Sequence, residues 1–499
     1  MTTAERSVRH VWWARAAALA SGGFLPFSFA PYDVLPVAVA SLAVLFFLWQ
    51  DISPREAALR GYCFGLGMFG HGVWWVQVSI HQFGLPLYSF SVTMTVLFVA
   101  FMALYPALTG YLVQRLPARS PAIRLLLCMG PLWVLFEWLR GWLFTGFPWL
   151  HLGYGQTDGW LAGYAPVLGV HGVSTAVVAL AAALVLAVQS TGYRRSMALL
   201  SLLLVPLAGL GLGYISWTSP QGPRAQAALV QSAVPQAVKW RSDFRARTLE
   251  LYEVLSEPYW GHAVMVWPET AVPAFPSEIP DVLMRLGARA DATGTALLVG
   301  MPEGEPRGAR YFNSVVLLNG DRQRYAKHHL VPFGEYLPFD RVLRPLLDFL
   351  TIPMSSFSAG PERQPPLAQG ALRIGVSICY EDAYASEVRK SLPDANVLVN
   401  VSDDAWFGDS IAPHQHLQIS RMRALEAGRY LLRATNTGIS AIIDERGGIV
   451  ARSPQFEPYV LTGMFEPRSG TTPFMHFGHA PLMLGMLALV LLALRRRRD

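Results

Sequence analysis

The chain has 499 residues, 52% of them hydrophobic and 15% charged, and a mean hydropathy of +0.32. That is too apolar for a soluble protein of this length and too polar for one wholly inside a bilayer, so a hybrid is expected. The net charge of +6 gathers in arginines beside the apolar stretches, which makes it a topology signal and calls for no nucleic-acid partner.

A bilayer span needs roughly 20 apolar residues. Eight stretches qualify, at 11–29, 34–50, 61–80, 88–113, 123–143, 161–189, 197–217 and 475–494. Arg6, Arg9 and Arg15 precede or enter the first, Arg55 and Arg60 follow the second, Arg115, Arg119 and Arg124 follow the fourth, and Arg194 and Arg195 follow the sixth. Arg495 to Arg498 follow the last, whereas Ala30–Asp33 and His81–Leu87 hold no Lys or Arg. The positive-inside rule then puts both termini in the cytoplasm and the segment between Thr218 and Pro473 outside. The domains expected are 1–217 with seven spans, 218–473 as an outer domain, and 474–499 as a last span with an arginine tail. Ser28-Phe29-Ala30 could pass for a signal-peptidase site. Retention of the first span is expected.

Within the spans, Glu137 and Arg140 stand three apart in EWLRGWLFTGFPWLHLGYGQ, where they can pair on one helix face. Alternatively Arg140, among Trp138, Trp142 and Trp149, lines a place for a lipid phosphate. No repeated broken-helix pattern marks a transport pathway.

The outer domain alternates strands and helices. Strands are expected at 225–234, 263–267, 296–301, 313–319, 372–378, 395–401, 431–437, 440–444 and 449–452, and helices at 248–255, 279–292 and 414–429. Such alternation predicts a layered α/β fold. Pro332–Pro361, rich in Pro, Phe, Leu and Met, is long for a connection and reads either as an apolar flap toward the bilayer or as a packing loop.

Three stretches carry chemistry. Cys379 follows the apolar run 372–378 and precedes Tyr380-Glu381-Asp382, so it falls where a strand gives way to a helix. Helix N-terminal amides there would lower its pKa and receive an oxyanion, although a cysteine is most often a small buried hydrophobe. Cys63 and Cys128 sit in predicted spans, which leaves Cys379 without a disulfide partner outside. Glu269 ends a strand behind Pro268 and beside Trp267, where a raised pKa suits a general base; the alternative is a surface glutamate at a turn. Lys327 is one of only three lysines, with Lys239 and Lys390, among 40 Lys and Arg residues. A compact ammonium can approach a thiolate and an oxyanion together. His328 and His329 are adjacent and on a strand would face opposite ways, against a shared metal.

Trp267-Pro268-Glu269, the Lys327 stretch ending in Pro332-Phe333-Gly334-Glu335, and Cys379-Tyr380-Glu381 resemble, in that order, the Glu, Lys and Cys blocks of the nitrilase or carbon-nitrogen hydrolase superfamily. With spans on both sides, and with EWLRGWLFTGFPW, Lys239-Trp240 and the stretch from Val401 to Gly438, the resemblance narrows to the apolipoprotein N-acyltransferases. It implies an α-β-β-α sandwich on eight transmembrane helices and no cofactor or metal. It also implies Glu269 as base, Cys379 as nucleophile and Lys327 as stabiliser of the tetrahedral intermediate, with Glu335, Tyr380 and Glu381 in support and Trp240 near the substrate. The donor would be a membrane phospholipid and the acceptor a diacylglyceryl apolipoprotein at the bacterial inner membrane, with the catalytic domain periplasmic. Two rivals are a membrane-anchored amidohydrolase that uses water as acceptor and a transport or lipid-binding protein with a degenerate enzyme domain.

Overall fold

The computed structural model describes residues 3–83, 87–304, 310–337 and 357–494. They form two compact units, one of Met1–Gln77, Leu87–Ser216 and His476–Asp499, the other of Val78–Pro86 and Trp217–Met475.

The first unit is helical. Tyr88–Arg115, Pro121–Arg140, Trp160–Gln189 and Gly192–Gly213 are long and apolar enough to cross a membrane, while Pro36–Leu48 and Ala480–Leu494 are apolar but shorter. The stretches expected at 11–29 and 61–80 differ from prediction. The first falls on the helix Thr3–Phe24, and the second is divided between Pro54–Gly72 and a separate helix, Val76–Phe83. Charge is the reason these helices are less apolar, since Glu56 accepts ion pairs from Arg15 at 2.7 Å and Arg60 at 3.0 Å. Thr3–Phe24 and Pro54–Gly72 meet through small residues: a Cβ on Gly22 would lie 2.0 Å from the Phe64 carbonyl oxygen, and one on Gly67 2.1 Å from that of Leu19. The arginine tail lies outside the described residues.

The second unit is a sandwich of two six-stranded sheets. Its strands are β1 (Thr218–Pro220), β2 (Ala225–Gln231), β3 (Val264–Trp267), β4 (Ala296–Gly304), β5 (Tyr311–Leu317), β6 (Gln323–Ala326), β7 (Leu367–Gln369), β8 (Leu372–Ile378), β9 (Val397–Ser402), β10 (Leu431–Thr435), β11 (Ala441–Ile443), β12 (Ile449–Arg452), β13 (Tyr459–Phe465) and β14 (Arg468–Gly470). The sheet orders are β13-β2-β3-β4-β5-β6 and β12-β11-β10-β9-β8-β7, with β1 and β14 paired apart. β2, β3 and β4 run parallel, as do β8, β9 and β10, and the outer strands are antiparallel.

Alternation along each strand builds the layers. Ala227, Leu229, Val264 and Val266 face Ile374, Val376, Val397 and Val399 between the sheets. Their neighbours Ala228, Val230 and Met265 face outward onto Leu249, Tyr252, Leu283 and Leu286 of the helices Ser242–Ser256 and Pro280–Thr293. Leu398, Leu431 and Ala441 of the other sheet pack on Leu417, Ala424 and Ala427 of the helix Ala412–Ala427. This is the expected α-β-β-α order. The strands β1, β6, β7, β13 and β14 are not among those expected, four of them because they are only three or four residues long and β13 because its buried residues, Leu461 and Phe465, are too few to make an apolar run.

Candidate active site

The parallel strands end in one polar cluster, as the carboxyl ends of parallel strands commonly do. β3 delivers Glu269. Trp267, held extended by the proline after it, stacks on Tyr252 at 4.8 Å and donates its indole N–H to Ser256 Oγ at 3.0 Å. The following turn fits only because position 300 on β4 is glycine, where a Cβ would meet the Pro268 carbonyl oxygen at 2.1 Å. The Glu269 carboxylate is 7% exposed and accepts from Asn313 Nδ2 at 2.7 Å and from the Asp403 backbone N–H at 2.9 Å. Burial raises its pKa; Lys327 opposes the rise, while Glu335 and Asp403 add to it.

Lys327 follows β6 and is 1% exposed. Its Nζ donates to Glu335 at 2.9 Å and stands 3.6 Å from Glu269 Oε1. Burial disfavours the ammonium, but Glu335 and Glu269 outweigh it and hold the pKa above that of an ordinary lysine. Glu335 accepts also from Asn313 Nδ2 at 3.1 Å and the Val331 N–H at 2.8 Å, so the Asn313 amide bridges two carboxylates.

Cys379 opens the 3-10 turn Cys379–Ala383 directly after β8, with φ +51°. The strand-to-turn position is as expected, but the electrostatics differ. In place of a helix there is a single turn, and burial followed by the Glu269 charge pushes the thiol well above its ordinary pKa, against the pull of Lys327. The resting group is a thiol that needs a base. Glu381 ties this turn to the lysine strand. One of its oxygens accepts from the His328 and His329 N–H groups at 2.7 and 3.0 Å, the other from the Ile378 N–H at 2.8 Å, and the Tyr325 hydroxyl donates to both at 3.1 Å. Burial pushes its pKa up to about 7.

Tyr380 is half-buried with its ring edge-on to Tyr384 at 5.2 Å, and Trp240 is half-buried next to Lys239. Arg140 belongs to the helical unit, 3% exposed, where it donates to the carbonyls of Phe147 at 2.8 Å and Leu150 at 3.3 Å and lies over the Phe69 ring. Glu137 accepts from the Leu152 N–H at 3.0 Å and from Ser174 Oγ. Both side chains thus fasten the 147–152 loop. His328 turns to Glu387 at 3.1 Å while His329 lies against Tyr384, so the two do not converge on an ion. Among the described residues, Glu137, His151 and His171 bring possible metal-ligating atoms within 4.8 Å of one another. Of the expected flap or packing loop 332–361, residues 332–337 and 357–361 are described, and the rest lies outside the described residues.

Residues that sequence reasoning left without a role are Asn313, Asp403 and the buried group beneath Cys379. Asn400 Nδ2 donates to the Cys379 carbonyl at 3.3 Å, and its Oδ1 accepts from Arg433 at 2.6 Å. Paired acids at a strand end, Asp403-Asp404, were the available signal.

Comparison with known proteins meets this geometry. The carbon-nitrogen hydrolase family model matches residues 226–469, and the apolipoprotein N-acyltransferase N-terminal domain matches 21–183. A Methylococcus capsulatus protein named apolipoprotein N-acyltransferase is 46% identical over 482 residues, 96% of each chain. The chain belongs to the apolipoprotein N-acyltransferase family. A second member of that family, from Nitrosomonas europaea, is 42% identical over 485 residues, again 96% of each chain. Among solved structures, a CN-hydrolase superfamily protein from Xanthomonas campestris aligns with 53% of this chain and 97% of its own, at 20% identity and a TM-score of 0.37.

Proposed function

We propose that this chain moves a fatty acyl group from a membrane phospholipid to the N-terminal amine of a diacylglyceryl-cysteine in apolipoproteins, through a thioester on Cys379. The observation that carries the reading is the buried convergence of Glu269, Lys327 and Cys379 in a chain that matches its relatives over 96% of its length. Glu269 takes the proton from Cys379 Sγ and the thiolate attacks the ester carbonyl carbon. Lys327 faces the oxyanion that forms. The C–O bond breaks, the leaving oxygen receives the proton from Glu269, and a lysophospholipid departs. The acceptor amine then attacks the thioester, the C–S bond breaks, and the amine's proton returns through Glu269 to the thiolate. Splitting the transfer in two predicts ping-pong kinetics. Water must be kept out, because hydrolysis would discard the acyl group.

Glu335 orients Lys327, and Glu381 holds the nucleophile's turn to the lysine strand. Tyr380 and Trp240, each half-buried and next in the chain to Cys379 and Lys239, are assigned to lipid contact. Arg140, with the carbonyls of Phe147, Trp149 and Leu150 on its guanidinium, is assigned to shaping the 147–150 loop. We place the chain in a bacterial inner membrane with eight passes, both termini cytoplasmic and residues 218–473 periplasmic, supported by the arginine distribution.

The test is intact-mass spectrometry of detergent-purified protein incubated with phospholipid and no acceptor. A gain of one acyl chain, lost on hydroxylamine treatment and absent in Cys379→Ala, is expected. Lysophospholipid and free fatty acid without an adduct would replace this reading with a hydrolase. Folded protein with neither adduct nor turnover would remove the catalytic assignment.

A further inference from the structure

Each of the three lysines makes a close ion pair in the second unit, but only Lys327 has a role in the proposed reaction. Lys390 pairs with Glu387 at a partly exposed site. Lys239 is different: it is 2% exposed, its Nζ donates to the backbone carbonyl of Glu269 at 3.1 Å, and it forms an ion pair with the Asp403 carboxylate. Asp403 donates its own backbone N–H to the Glu269 carboxylate at 2.9 Å. Asn436 braces the far side, donating to Asp403 at 3.3 Å and to the Val234 carbonyl at 2.9 Å. Glu269 is therefore gripped twice, at its main chain by Lys239 and at its carboxylate by the residue that Lys239 neutralises. Taking an ammonium out of water is costly unless it is paired and hydrogen-bonded, as here.

We propose that Lys239 is a positioning residue for Glu269, which together with Asp403 aims the carboxylate and cancels the Asp403 charge beside it. This rests on Glu269 as the general base. The charged and titratable groups facing Glu269 are Lys327 from the end of β6, Glu335 from the stretch after it, Asp403 from the end of β9 and Cys379 from the end of β8, with Asn313 of β5 as a neutral donor. Asp403 and Glu335 both disfavour charge on Glu269, and Lys327 favours it. Without the Lys239 ammonium the Asp403 charge acts on the base uncompensated. Glu269 then keeps its proton to higher pH, and the acidic limb of acylation moves upward.

The experiment measures single-turnover acylation of the full chain by intact mass, with phosphatidylethanolamine in detergent micelles, from pH 5 to 9. It compares wild type, Lys239→Met, Asp403→Asn and the double variant, with melting temperatures alongside. Lys239→Met is expected to raise the midpoint of the acidic limb by about one unit, which is about a tenfold loss of rate below it. Asp403→Asn should lower the midpoint, and the double variant should return it toward wild type. A folded Lys239→Met with its midpoint unmoved and its rate within about twofold of wild type would overturn the proposal. So would an unmoved midpoint in Asp403→Asn, which decides the matter if Lys239→Met does not fold. No adduct in wild type at any pH would instead sink the acyl-enzyme reading, and this proposal with it.

Discussion

Cys379 sits at φ +51°, a left-handed conformation that costs a residue with a Cβ roughly 1–2 kcal/mol and is retained where a site needs it. The reason lies in what the turn does: β8 ends at Ile378, and the sharp reversal brings the thiol to the polar cluster while Glu381 folds back onto the Ile378 N–H. The strain should be measurable. Cys379→Gly relieves it and Cys379→Ala does not, so the glycine variant should be the more stable of two inactive proteins by up to about 1 kcal/mol, read as a higher melting temperature. Equal melting would mean that surrounding contacts, not backbone conformation, dominate at this position. The protonated thiol at rest has a consequence too. With the thiol pKa raised by burial and by Glu269, alkylation of Cys379 by iodoacetamide at neutral pH is expected to slow when Glu269→Gln removes the base that takes the proton, read by intact mass.

At the scale of elements, two contacts hold the strand ends in register. On β4, Gly300 leaves space for the Pro268-Glu269 turn of β3, and the Val272 N–H donates to its carbonyl at 3.1 Å. Gly300→Ala drives a methyl into backbone with no flexible side chain to yield, so a loss of about 1–3 kcal/mol and a fall in acylation of tenfold or more are expected. Unfolding and single-turnover assays would check both, and an unchanged acylation rate would show that the Glu269 turn tolerates displacement. Beneath Cys379, the helix Ala412–Ala427 contributes His416, whose Nε2 meets Asp382 at 2.9 Å and whose Nδ1 meets Asp404 at 2.9 Å. Arg433 of β10 reaches the same acids at 3.3 and 2.9 Å. Burial and Arg433 oppose charge on the ring, but the two aspartates prevail and raise its pKa. Its stabilising charge is therefore complete below about pH 6.5, the ordinary histidine value, and is lost as pH rises through the raised one. Melting of the wild type should fall over that interval. His416→Ala, which leaves two aspartates facing one arginine, should cost about 3–5 kcal/mol at pH 6 and lose that slope. A parallel pH dependence in the variant would assign the slope to another group.

For the whole molecule, the proposed eight-pass arrangement requires the loop after Gln189 and the helix Pro280–Thr293 to lie on opposite sides of the membrane. In a Cys63→Ser, Cys128→Ser, Cys379→Ala background, Asp281→Cys should react with a membrane-impermeant maleimide from the periplasmic side, and Ser190→Cys only after the inner membrane is opened. Labelling of both from one side would end the odd-even assignment drawn from the arginines. The two units have different physical grounds. In the helical unit backbone groups are satisfied along each helix, so hydropathy and charge suffice to locate it. The sandwich has to satisfy its backbone between strands distant in the chain, as where β13 pairs with β2 in register from Tyr459↔Gln231 to Phe465↔Ala225.

That difference separates what could be read from the sequence and what could not. Apolar runs, period-two strands, Pro268 behind a strand and a lone outer cysteine are local patterns, and they located the helical part, the central strands and Glu269, Lys327 and Cys379 as candidates. The rarity of lysine pointed to position 239 without giving it a partner. Tertiary structure alone decided that Asn313 bridges Glu269 and Glu335, that Glu381 staples two strand ends, that Asp403 lies between Lys239 and Glu269, and that Cys379 is held as a thiol. Hydrophobic periodicity is written within a few residues of each position, whereas hydrogen bonds and pKa shifts depend on which distant groups share a buried space, and those are set only when the sheets close on each other.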